Sequence, residues 1–479
     1  MVRKLSNKFK LGLFLFFSVF FASTVWSFIL PIGDFGPDET AHLQMIKFLA
    51  EEKRIPVFDS ENGLQNLVFE KQLWNEKFRT GAYYSMAYNS PLSYLPFLPV
   101  YLIERDIESR GSVLAMRLTN SFIAALFALV LFLFFIKIDR GNLAISSTLA
   151  FFVAFMPQLI FSSSYVNIEI IPLLLAGIST LILLSIREKP TVNNFLFLGT
   201  ILGLLVLCKA NYLSLAGLVL VFASLIIFRK EKQRVLSFFS LVFPIVLLNI
   251  YWWYRNIILY KDPLIINHIQ NKINSSRPDW FLPPGEAGYN ALTIVFQPDF
   301  FRNTFLGFFA AIGKLDIFLS GPFYVVFYLF LAFLIIAAVN QSAKKFRGNK
   351  GGDDLKINLI IIFFIVFIFF VFAKKNLLDF SPQGRHLFPA LLPISWLLYN
   401  GLRVLSERVR KFVAIIMMFF ALLSSVSVLW LMIVKYWDGH LDLTPTRMIL
   451  ITLSVIFISL YLAETTLIIR GKDGQQVSD

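Results

Sequence analysis

Cysteine is almost missing from this chain. The one thiol, Cys208, lies inside an apolar run, which excludes intrachain disulfides and cysteine-built zinc sites. Histidine is nearly as scarce: His42, His268, His386 and His440 are far apart, and none is followed by a second histidine at ligand spacing. Charge is thin as well, at 15% of 479 residues against 57% hydrophobic, and no stretch is polar enough to form a soluble domain. Internal repeats and low-complexity tracts are absent, which argues against a carrier built from duplicated halves.

What the chain has instead is a series of apolar runs of the length that a hydrocarbon core of about 30 Å demands. Spans fall at residues 11–30, 113–136, 142–162, 166–186, 193–209, 212–228, 235–254, 318–339, 357–373, 387–402, 412–434 and 448–468. The chain is therefore an all-α polytopic integral membrane protein of about twelve transmembrane helices, read as a single domain over residues 1–479. The first run is too long for a signal-peptide core and lacks a small-residue cleavage site before Pro31, so it is a retained helix.

The net charge of +14 follows from topology and needs no nucleic acid. With Arg3, Lys4, Lys8 and Lys10 in the cytoplasm, the inner segments collect about 23 basic residues against about six in the short outer loops. Inner groups include Lys137 with Arg140, Arg187 with Lys189, Arg229 to Arg234, Lys344 to Lys356 and Arg403 to Lys411. Both termini are then cytoplasmic, in a cell (cytoplasmic) membrane. Two long segments, 31–111 and 255–317, face outward, where long loops carry function. Within the first, residues 91–103 are apolar but short and interrupted by Pro96 and Pro99, as suits an interfacial or re-entrant element.

Directly after the first helix comes Gly36-Pro37-Asp38-Glu39-Thr40-Ala41-His42. Pro37 suits a first helical position and the two acids a first turn, so the pattern could simply start a helix. Its chemical reading is that a carboxylate at the membrane surface takes a proton from an acceptor hydroxyl, with His42 one turn on from Asp38. A second group lies at the outer ends of later helices: Asn167 and Glu169, Lys209 and Tyr212, Arg255 and Asn256, Lys314 and Asp316, Arg385 and His386. Singly, each is explained by snorkelling to the interface. Together they set several cations beside a pair of acids on the face where the charge rule expects few, as a phosphate leaving group requires. The aromatic run Tyr251-Trp252-Trp253-Tyr254 reads as interfacial anchoring.

These residues resemble the GT-C superfamily of multispan glycosyltransferases, in particular the branch of predicted membrane proteins related to protein O-mannosyltransferases and lipid A aminoarabinose transferases. Gly-Pro-Asp38-Glu39-x-x-His42 is similar to that family's acidic motif in the first outer loop, and Asn89-Ser90-Pro91-Leu92-Ser93-Tyr94 to the Pro-Pro-Leu-Tyr-Tyr-type element after it. Met156-Pro157 through Asn167-Ile168-Glu169, Lys209-Ala210-Asn211-Tyr212, Trp253-Tyr254-Arg255-Asn256 with Asp262-Pro263, and Gln383-Gly384-Arg385-His386 with Pro389 follow in the family's order. His386 stands where tyrosine is usual, Glu169 where aspartate is, and Lys261 where glycine is.

The resemblance implies a GT-C-type bundle that transfers a sugar from a polyprenyl-phosphate donor to a lipid, polysaccharide or protein acceptor of the cell envelope, on the outer face, with inversion. It implies Asp38 as general base, Glu39 as an orienting second catalytic carboxylate, and Lys209, Arg255 and Arg385 as the donor-phosphate site. His42, Asn167, Glu169, Tyr212 and His386 would bind substrate. No metal site is expected, although Asp38, Glu39 and Glu169 could supply oxygen ligands to a divalent cation. Membrane lipids are the other expected partners. The alternatives are a transporter or flippase, which places its charges near mid-bilayer, and a surface-polysaccharide polymerase or ligase, which builds its site in a late outer loop.

Overall fold

The computed structural model describes residues 2–33, 35–57, 86, 88–107, 109–139, 142–276, 282–347 and 353–470. Arg140, Lys350 and most of the first outer segment, residues 58–85, lie outside the described residues.

Among the described residues nine helices are long and apolar enough to cross a membrane, and a tenth span is a bent pair. In chain order the long helices are α1 (Val2–Ile29), α4 (Arg110–Ile138), α7 (Ile170–Glu188), α9 (Leu213–Lys230), α10 (Arg234–Tyr260), α12 (Gly321–Arg347), α13 (Asp353–Lys375), α15 (Glu407–Trp437) and α16 (Pro445–Ile469). Between them lie α2 (Glu39–Glu52), α3 (Leu98–Glu104), α5 (Leu143–Ala154), α6 (Pro157–Ser163), α8 (Val192–Cys208), α11 (Ile266–Ser276) and α14 (Leu391–Val404). All twelve runs expected from the sequence thus correspond to helical segments. The chain is a multi-pass, almost wholly helical membrane protein with one two-residue hairpin, Ala311–Ile312 against Ile317–Phe318.

Where the sequence suggests uninterrupted spans at 142–162 and 387–402, the structure is broken. Pro157 cannot donate to the preceding turn, so α5 stops and α6 restarts at 63° to it. The run at 387–402 begins as a 3-10 stretch, Gly384–Ala390, and only then becomes α14. Helix α1 packs along α4 and α16, α8 along α10, and α12 along α14. The core is rich in fully buried phenylalanine, including Phe127, Phe132, Phe134, Phe135 and Phe151.

The first outer segment builds a small apolar core of its own at one end of the bundle. Ala41, Met45 and Ile46 of α2 pack with Tyr94, Phe97 and Tyr101, and with Val113 and Met116 of α4. Residues 91–103 form the 3-10 helix Pro91–Phe97 followed by α3; Leu95, Leu102 and Ile103 remain exposed on its outer side, in keeping with an interfacial element. Part of the second outer segment is drawn into the bundle, where Phe308, Phe309 and Ala310 are buried and Gln158 accepts a bond from the Ala311 amide at 2.9 Å.

Candidate active site

The acidic motif does not begin a helix in the expected way. Helix α2 starts at Glu39, and Asp38 is its N-cap residue in the left-handed conformation (φ 63°), with no side-chain capping bond. That backbone costs a residue with a Cβ about 1 kcal/mol or more, and a capping bond would have offset part of it. The Asp38 carboxylate instead reaches Arg385, at 3.2 Å from Nη2, while its side chain stays half exposed. Gly36 makes the approach possible: a Cβ there would lie 2.6 Å from the ring of Tyr165.

Glu39 has the opposite fate. It is fully buried and paired in a two-pronged arrangement with the equally buried Arg117 of α4, Nε to Oε1 at 2.8 Å and Nη2 to Oε2 at 2.5 Å. Arg117 also donates to the carbonyls of Ser27, Leu30 and Pro31, and Glu39 accepts from the Val166 amide at 2.9 Å. Glu39 therefore acts as a positioning residue, with no atom left to face a substrate. Arg117 was not singled out by the motifs, although a lone arginine eight positions into an apolar helix is a signal of a buried pair.

Arg385 is held by two motifs at once. Gly384 lets the chain before it pass against residues 304–308, where a Cβ would meet the Phe308 amide nitrogen at 2.0 Å. The Arg385 guanidinium then donates to the Tyr165 hydroxyl and to Asp38, and its Nε finds no partner among the described residues. Tyr165 sits in the linker between α6 and α7, which Asn167 shapes: its side-chain amide donates to the carbonyls of Ser162 and Tyr165, and its oxygen accepts from the Glu169 amide at 2.8 Å. Asn167 thus folds the turn that presents Tyr165 and Glu169.

Glu169 forms an ion pair with Lys209, which lies at the break between α8 and the 3-10 turn Ala210–Tyr212. The lysine is placed there by Ser93, whose hydroxyl donates to the Cys208 carbonyl at 2.9 Å, so the Asn89-to-Tyr94 element fastens the end of α8. Tyr212 is buried with its hydroxyl unpartnered among the described residues, as is Nδ1 of His386. Nearby, Lys375 pairs with Asp379 at 3.2 Å at the end of α13. Burial, then Lys375, Lys209 and Arg385, hold the His386 pKa well below its usual value.

His42 is buried, its Nδ1 2.9 Å from the Tyr94 hydroxyl. Burial first, then Arg385 and Lys209, pushes its pKa down to about 3, so the imidazole is neutral. The cluster therefore sets Asp38, Glu169 and Asp379 against Arg385, Lys209 and Lys375, three charges of each sign around neutral histidines and phenols.

Arg255 is engaged with the segment that follows α2. Its guanidinium donates to the Pro56 carbonyl at 2.6 Å and lies 5.1 Å from the Trp252 ring, tying the first outer segment to the end of α10. Asp316 pairs with Lys435. The oxygen set considered for a divalent cation does not assemble, since Glu39 is taken by Arg117 and Glu169 by Lys209.

No protein-family model and no curated protein matches the chain. Among solved structures it is similar to ArnT from Cupriavidus metallidurans in the apo state, with a TM-score of 0.47 and 14% sequence identity over 94% of this chain and 75% of that one.

Two measurements check this geometry. Arg117→Met strands a buried carboxylate and should cost about 3 to 5 kcal/mol, read as a large fall in thermal midpoint without any substrate, whereas Asp38→Asn should leave the midpoint nearly unchanged. The second concerns pH. Because folding lowers the His42 pKa from 6.5 to about 3, the unfolded chain binds the extra proton between those values, so stability is complete above 6.5 and falls as pH drops toward 3. His42→Gln should flatten the midpoint against pH curve between 6.5 and 4.5; an unaltered slope would assign the acid sensitivity to other groups.

Proposed function

We propose that this chain is a GT-C-type membrane glycosyltransferase that moves a sugar from a polyprenyl-phosphate donor to a cell-envelope acceptor, working on the outer face of a cytoplasmic membrane. The observation that carries the reading is the Asp38 to Arg385 pair: a half-exposed carboxylate, on a left-handed residue, against a buried guanidinium whose Nε has no partner among the described residues. Strained backbone and unsatisfied buried donors collect at sites that bind something.

The chemistry follows from those groups. An acceptor hydroxyl gives its proton to Asp38 as its oxygen attacks the anomeric carbon. The bond from that carbon to the phosphate oxygen breaks, its electron pair leaves on the phosphate, and Arg385 stabilises the added charge, with Lys209 behind it. Attack opposite the leaving group inverts the centre. A donor phosphate entering beside Arg385 competes with Asp38 for Nη2, so donor binding would release the base. Tyr212 and His386 supply a hydroxyl and a ring nitrogen with no partner among the described residues for sugar or phosphate oxygens, and His42 with Tyr94 forms the neutral wall behind Asp38. A transporter would want charge at mid-bilayer, whereas the charged cluster sits at one end of the helices.

Purified protein incubated with a panel of radiolabelled polyprenyl-phosphate sugars should release the lipid phosphate from one of them. Asp38→Asn should lower that rate by about a hundredfold or more, and Arg385→Gln by a similar factor. Turnover untouched by Asp38→Asn would refute the assignment of the base. The side of the reaction is checked separately in a Cys208→Ala background. A membrane-impermeant maleimide applied to intact cells should label a cysteine placed at Asn290 and spare one placed at Lys232; the reverse pattern would turn the protein over.

A further inference from the structure

A cavity of about 350 Å³ opens between α7, α9, α13 and α14, away from the charged cluster. Its upper end is marked by Leu215 and Leu392, a few residues past Tyr212 and Arg385 along the chain. Its lower end is lined by Arg187, Arg229 and Lys356, contributed by three separate helices. Fourteen residues separate Leu215 from Arg229 on α9, a distance of roughly 21 Å along the helix axis. The walls between are mostly aliphatic, with Phe134, Phe222 and Thr180 among them and Trp396 on one side, where Asn358 accepts a bond from its indole N–H at 3.2 Å.

We infer that this cavity is a binding site for an anionic phospholipid drawn from the leaflet bordering the Arg229 end, with its phosphate against Arg229, Lys356 and Arg187 and one acyl chain along the aliphatic wall. Charge complementarity selects that occupant. A donor lipid with its phosphate at Arg385 would leave only hydrocarbon in the cavity and put nothing beside Arg229 and Lys356. A lipid seated from the other end uses both parts. Half of a hydrocarbon core of about 30 Å is roughly 15 Å, so an acyl chain anchored at Arg229 ends below Leu215 and does not enter the charged cluster. The binding is independent of the glycosyltransferase reading, because it uses none of the residues assigned to that reaction.

The test is native mass spectrometry of the full chain released from detergent with equal phosphatidylglycerol and phosphatidylcholine. Wild-type protein should retain phosphatidylglycerol selectively. A cation near an anionic phosphate contributes about fivefold, so Arg229→Gln with Lys356→Gln should weaken retention about 25-fold, while Arg229→Lys with Lys356→Arg retains it. Leu218→Trp, which fills the cavity and leaves the cations in place, should abolish it too. Thermal midpoints of the variants report folding, and either variant alone suffices to read the site. Retention unchanged in both the charge-removing and cavity-filling variants overturns the inference. So does a third arm, if undecaprenyl phosphate displaces the phosphatidylglycerol and its own binding is lost on Arg385→Gln and not on Arg229→Gln.

Discussion

Arg117 meets Glu39 where neither reaches water, and each of its five N–H groups has an acceptor: two carboxylate oxygens of Glu39 and the carbonyls of Ser27, Leu30 and Pro31. Those carbonyls lie at the C-terminal end of α1, where helical oxygens lack intrahelical donors and the helix dipole favours a cation. One side chain of α4 thus closes α1, anchors the start of α2 and, through the bond from Val166 to Glu39, fixes the linker that carries Tyr165, Asn167 and Glu169. An apolar pair of equal volume could match its stability, but would fix neither the register of these three segments nor the direction of the chain between them. Asp38 precedes Glu39 directly, so its left-handed backbone is imposed from one side by Arg117 and from the other by Gly36 against Tyr165.

The spans were legible because the bilayer imposes a length, and no tertiary contact is needed to recognise a run of twenty apolar residues. Their interruptions were less legible. Pro157 and Pro389 were visible in the sequence, but a proline within an apolar run can kink a helix or end it, and only the packing around α6 and the Gly384–Ala390 turn decides. Among the motif residues, Asp38, His42, Glu169, Lys209, Tyr212, Arg385 and His386 come together at one end of the bundle. The resemblance separates the two neighbouring acids, but their spacing does not, since the difference between a half-exposed carboxylate and a buried strut is set by an arginine 78 residues further on. Asn167 has a side chain spent on its own turn, and Arg255 one spent on Pro56; both outcomes depend on loop conformations that no periodicity encodes.

Electrostatics explains why so many ionisable groups can gather beside the membrane. Each cation of the cluster has its own acid, and both histidines escape the cost by remaining neutral. The pairs differ in how tightly they are committed. Lys209 and Glu169 are both mostly shielded from solvent, and removing either would leave the other buried and uncompensated. Asp38 is half exposed and its bond to Arg385, at 3.2 Å, is longer than the roughly 2.7 to 2.9 Å of a strong charge-assisted contact.

Of these two pairs, Asp38 with Arg385 is the one able to open without a large penalty. On the proposed reaction an incoming phosphate would offer Arg385 a better acceptor than Asp38, because it could occupy both the unpartnered Nε and the Nη2 that Asp38 now holds. Asp38 would lose a weak bond and gain water or an acceptor hydroxyl, while Arg385 would exchange one acceptor for another and gain one at Nε. On the proposed reaction the same exchange orders the steps: the carboxylate is occupied while the donor is absent and becomes available once the leaving group is in place.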